Sequence, residues 1–172
     1  MNLTLSFSAF GLVVFVLPML INIVYVLFPP AGNSTPSGDT SRPLEIIEKL
    51  SRLAYLLAIA CLKDRRSVDF RSAWLYIAAV FLILYYIVWI RYFAGGRDVS
   101  LLGKSFMFVP IPLAVFPVLY YLFGAIWLRN IPAAILMLIF GSAHITISYR
   151  SFGKSKVRGK YSKEAQLPED TK

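Results

Sequence analysis

The chain has 172 residues and a net charge of +9, with 58% hydrophobic and only 16% charged residues. Soluble domains run at about 45–50% apolar and about 25% charged, so a soluble fold of this size could not hide so much apolar surface. About seven of the eighteen Lys and Arg lie in the last 23 residues, and most others sit in short segments between apolar runs. That is the charge distribution of a membrane protein. A nucleic-acid reader would need a basic, aromatic-interleaved soluble face, and none is present. The lone Cys61 excludes an internal disulfide and a multi-cysteine metal site, and reads as a small apolar helix residue.

Crossing a hydrocarbon core of about 30 Å at about 1.5 Å per residue takes about 20 apolar residues. Leu5 to Phe28 meets this without a charge. No Lys or Arg precedes the run, so it reads as a retained transmembrane helix, not a cleaved signal. Pro18 frees a carbonyl one turn back, and Asn22 and Tyr25 follow on nearly the same helical face. Asn22 is therefore expected to face protein. Residues 29–43 form a linker of proline, glycine and small polar residues, with an undiagnostic Asn33-Ser34-Thr35 sequon. Asp39 to Ser41 are suited to capping a helix and Pro43 to its first turn.

Leu44 to Leu62 is ambiguous. Glu45, Glu48, Lys49 and Arg52 share one face, and Glu45–Lys49 and Glu48–Arg52 are Glu-first i,i+4 pairs. The segment either crosses by snorkelling Lys49 and Arg52, or lies on the surface as an amphipathic helix. Ala73 to Ile90 is a clean span. It has Trp74 and Tyr76 at one end and Tyr85, Tyr86, Trp89 and Tyr92 at the other, a pattern expected of headgroup-level anchors. After the 91–104 loop, Phe106–Leu128 and Pro132–Ser148 form two apolar runs joined at Arg129-Asn130. Pro110 and Pro112 fall at the entry of the first run, and Pro117 kinks it. Tyr120 and Tyr121 lie deep enough that at least one hydroxyl should face a partner. Residues 150–172 read as a basic, disordered cytoplasmic tail that can hold anionic lipid headgroups.

The expected fold is an all-α polytopic transmembrane helix bundle of five spans (5–28, 44–62, 73–90, 106–128, 132–148). The alternative is four spans plus one amphipathic interfacial helix. With five crossings, one side carries about five Lys and Arg and the other about eleven. The positive-inside bias then places the protein in the plasma membrane with the N-terminus outside and the C-terminus cytoplasmic.

The only histidine, His144, shares a face with Ala134, Met137, Gly141 and Ser148. Small residues on such a face let membrane helices approach closely. His144 either bonds a neighbouring helix or marks a site, since titratable groups in a membrane are costly. In the five-span arrangement Asn22, Tyr25, Glu45, Glu48, Tyr86 and His144 fall in the inner half of the bundle. They are expected to line a polar pocket with a carboxylate partnering His144, which would make the pocket proton-sensitive. One His without Cys is a thin ligand set, so no metal is expected, and no phosphate loop or legible nucleophile implies a cofactor or a reaction. The sequence thus points to a non-catalytic module that binds a small or lipidic ligand or serves as accessory subunit of a larger membrane complex. A small oligomeric transporter or channel, or a lipid-modifying enzyme using His144 with Glu45 or Glu48, are the alternatives.

Overall fold

The computed structural model describes residues 3–30, 41–106 and 108–164. It is all-helical apart from one short ribbon. The helices are α1 (Ala9–Leu27), α2 (Arg42–Cys61), α3 (Ala73–Ala94), α4 (Pro112–Trp127) and α5 (Ile131–Glu164). Strands β1 (Leu3–Leu5) and β2 (Leu62–Asp64) pair antiparallel, Leu3 opposite Asp64. Among the described residues three helices are long and apolar enough to cross a membrane: α1, α3 and the Ile131–Ser151 part of α5.

The helices run up and down. The start of α1 lies at the end of α2, where Ser6 N–H donates to the Cys61 carbonyl (2.9 Å) and Ser8 N–H to that of Ala60 (2.8 Å). The end of α4 reaches the same level, with Trp127 Nε1–H donating to the Asp69 carbonyl at 2.8 Å. Arg129, in the left-handed region at φ 55°, reverses the chain there. Asn130, 1% exposed, then caps α5: its Oδ1 accepts from Ala133 N–H, and its Nδ2 donates to the carbonyls of Ala58 and Leu62. One asparagine thereby starts α5 and closes the end of α2. Beside it Asp64 accepts from Arg66 N–H (2.9 Å) and from its guanidinium (3.0 and 3.1 Å). Those bonds hold the Asp64 carboxyl down to about 2.

Several expected boundaries move, each for a local reason. The first helix begins at Ala9, not Leu5, because Ser8 Oγ accepts from Gly11 N–H as its cap and the residues before it pair with β2. Phe106–Leu128 is not one helix; α4 starts only at Pro112. A residue preceding proline avoids the helical region, which stops Val109 and Ile111 from extending α4 backwards. Phe106 and Val109 instead exchange backbone hydrogen bonds across a turn, with Phe108 at φ 68°. Sixteen residues make α4 only about 24 Å long. It is also the most enclosed helix, burying Phe116, Tyr120, Tyr121 and Ala125.

The third helix continues to Ala94, one turn past Ile90. Its Arg91 guanidinium donates to the carbonyls of Leu101, Lys104 and Ser105, pinning the following loop. The fifth helix does not end at Ser148. It continues as helix to Glu164, into the 150–172 segment expected to be disordered. Residues 31–40, with the sequon and Asp39, and residues 165–172 lie outside the described residues. Ser41 takes the cap position of α2 without a side-chain cap bond, and Pro43 enters its first turn.

The outside of the bundle is apolar in stripes: Leu20, Ile23 and Leu27 on α1, Ile46, Leu50, Leu53 and Leu57 on α2, Val80, Ile83, Ile87 and Ile90 on α3, and Ile131, Ile135 and Leu138 on α5. Spacings of three and four residues put each set on one face. Glycines mark the closest approaches. A Cβ added at Gly11 would land on the Ile59 carbonyl oxygen, and one at Gly124 would sit 2.8 Å from Val14 Cγ1.

Not every aromatic of α3 is an anchor. Trp74 and Tyr76 are exposed, but Tyr85, Trp89 and Tyr92 are buried against α1 and α4 rather than gathered at the surface. Tyr25 and Phe116 supply apolar partners that a headgroup layer would otherwise provide.

Candidate ligand cavity between the helices

A cavity of about 330 Å³ lies between all five helices, toward the end where α5 meets the start of α2. This falls at the small end of the range of about 300–1,000 Å³ typical of ligand pockets. Its walls are mostly apolar: Phe15 and Met19 of α1, Leu113, Ala114 and Val118 of α4, and Met137 and Phe140 of α5. Pro117 also lines it. The proline has no N–H for the Leu113 carbonyl, so α4 is locally freed where it faces the cavity.

Polar groups reach the cavity from every helix. His144 Nδ1 lies 2.9 Å from Glu48 Oε1, joining α5 to α2. The imidazole stacks on Phe140, ring centroids 5.1 Å apart and 13° from parallel, which fixes its plane. Asn22 Oδ1 accepts from the Tyr85 hydroxyl at 2.9 Å, joining α1 to α3. Two further tyrosines close the inner part: Tyr121 O–H donates to the Phe15 carbonyl (3.0 Å), and Tyr55 O–H to the Tyr121 carbonyl (3.2 Å). Arg52 and Ser148 complete the polar lining.

The six residues singled out from the sequence separate. His144 and Asn22 line the cavity, and Glu48 reaches it through His144. Tyr86 instead donates to the Leu17 carbonyl at 2.6 Å, outside the lining. Tyr25 packs on Trp89 and Tyr92, ring centroids 5.3 and 5.9 Å away. Glu45 stays with Lys49 at 4.0 Å in a half-exposed i,i+4 pair. Glu48 does not pair with Arg52 as spacing predicts, because the imidazole of α5 takes the carboxylate.

Sequence reasoning missed Arg52, Tyr55, Tyr85 and Tyr121 as lining residues. Arg52 was within reach, since it stands one turn from Glu48 on the same face. Tyr121 is one of the two tyrosines expected to turn a hydroxyl to a partner, and it does so at the Phe15 carbonyl; Tyr55 and Tyr85 carried no such signal, because nothing in a helix's own pattern says which neighbour its rings meet. Among the described residues no three of His, Cys, Asp and Glu converge to hold a metal ion.

No family model matches this sequence, and no curated protein or solved structure is significantly similar to it.

Proposed function

We propose that this chain is a five-crossing plasma-membrane protein that holds a small lipidic ligand in the cavity between its helices without transforming it. The observation that carries the reading is the cavity itself: apolar walls, enclosure by five helices, and a few polar groups at positions fixed by hydrogen bonds. Apolar shape supplies affinity in such sites and sparse polar groups supply orientation. The support for α2 as a crossing is its exposed stripe of Ile46, Leu50, Leu53 and Leu57, which would otherwise face water. The support for α4 is its burial, since a helix shielded by its neighbours need not span the full hydrocarbon depth alone. The N-terminus is outside and the basic end of α5 cytoplasmic, near anionic headgroups.

Two measurements test this. Native mass spectrometry of protein released from neutral detergent should show a bound lipidic adduct. Met137→Trp and the milder Ala114→Leu, which fill the cavity, should remove it; adducts indifferent to both refute the cavity reading. Ser41→Cys and Ser67→Cys, which flank α2, each in a Cys61→Ala background, should react with an impermeant maleimide from opposite sides of the membrane; labelling from one side would mean that α2 does not cross.

The Glu48–His144 pair favours one second reading, a lipid-modifying enzyme with His144 as the base. Turnover on lipid extracts that His144→Ala abolishes would select it.

A further inference from the structure

The ligand's chemical class can be read from the hydrogen-bonding capacity left over around the cavity. This step rests on the cavity being the binding site. The hydroxyls of Tyr55, Tyr85 and Tyr121 already donate to protein acceptors. The one carboxylate at the site, Glu48, is engaged by His144. Besides the Ser148 hydroxyl, the second Glu48 oxygen and His144 Nε2, what is left among the described residues is on the donor side. Asn22 Nδ2 meets only the Met19 sulfur, at 3.8 Å, a weak acceptor. Arg52 lines the cavity and makes no ion pair among the described residues. It stands ten residues into α2, about 15 Å along the axis, with an exposed side chain at the edge of the cavity, and an unpaired cation on a membrane helix is costly.

We infer that the cavity receives a single-chain anionic amphiphile, its carboxylate or phosphate head at Arg52 and its acyl chain along Met19, Val118, Met137 and Phe140. A guanidinium gives an anion a charge-assisted, bidentate hydrogen-bonding partner. A cationic head would meet Arg52 first, and a neutral head would leave that charge unpaired. Volume limits the tail. Taking about 30 Å³ per heavy atom, the share of a water molecule in the liquid, 330 Å³ holds about eleven heavy atoms. That is about the tail of one twelve-carbon amphiphile, its head staying at the mouth beside the exposed Arg52; the two chains of a diacyl lipid do not fit.

The experiment is native mass spectrometry of the full chain in neutral detergent, titrated separately with laurate, dodecyl phosphate, dodecanol and dodecyltrimethylammonium. Laurate, dodecyl phosphate or both should bind about ten-fold or more tighter than dodecanol, the scale of one hydrogen bond to a charged group. The better of the two names the headgroup. Arg52→Gln should erase that preference by weakening the anions, and Arg52→Lys should keep part of it. Equal binding of dodecanol and the anions overturns the anionic assignment, as does tighter binding of the ammonium or a preference that survives Arg52→Gln. Those results leave the cavity standing as a site. Failure of every ligand to bind wild type, or binding that Met137→Trp does not reduce, overturns the cavity reading itself.

Discussion

The two ends of this bundle are built differently. At the end bearing the N-terminus, polar groups are used up on one another. Asn130 ties α2 to α5, Trp127 is bonded to Asp69, β1 zips to β2, and Asp64 is held by Arg66. At the opposite end Arg91 pins only the loop after α3, and the bridges between helices that border the cavity are single, Glu48 to His144 and Asn22 to Tyr85. A ligand site needs donors that folding has not already satisfied. Under the proposed function, the open end is where such donors remain.

Breaking the latched end should cost most. Asn130→Ala removes the α5 cap and both bonds to the end of α2, so thermal unfolding in micelles should show a loss of about 3 kcal/mol. Gly11→Ala follows at about 2 kcal/mol. Its Cβ meets a backbone carbonyl, which cannot swing away as a side chain would, and α1 must move off α2. Changes at the open end should be smaller in stability and larger in ligand response. Glu48→Ala leaves His144 without its Nδ1 partner for about 1 kcal/mol, while loosening the ring that borders the cavity. An equal or greater stability loss there than at Asn130 would erase the proposed difference between the ends.

The smallest expected effect depends on pH. The carboxyl of Asp64 is lowered in the folded state, mainly by its side-chain hydrogen bond to Arg66. Its contribution is therefore present above the unfolded value of about 3.9 and is lost as pH falls toward about 2. Hydrogen exchange at the Arg66 amide, which donates to Asp64, should quicken over that interval beyond the intrinsic pH trend. Asp64→Asn should abolish the extra change.

Much of the helical layout was legible in one dimension. Charge-free runs and their flanks located α1, α3 and most of α5, since burial in lipid depends on composition more than on partners. The face shared by Ala134, Met137, Gly141 and His144 was legible too, because helical spacing alone sets it. The inward-facing Asn22 followed from the cost of a polar group in lipid. Boundaries set by non-local pairing were not legible. Leu3–Leu5 leave the first helix for a strand whose partner lies about sixty residues on, and nothing in Met1 to Ser8 encodes that.

The cavity belongs wholly to the tertiary structure. The sequence by itself determined that a titratable ring would sit on a close-packing face of an apolar helix, and that carboxylates stood on another. Only the packing decided that Glu48 and not Glu45 meets that ring. The same packing left Arg52 beside the cavity without an ion-pair partner among the described residues and turned Tyr55, Tyr85 and Tyr121 inward, while Tyr25 and Tyr86 went elsewhere. The physical reason is that each helix's periodicity fixes its own faces but not the rotation at which neighbours meet. Here that rotation follows from where Gly11, Gly124 and Gly141 let backbones approach, and from the single asparagine that joins α2 to α5.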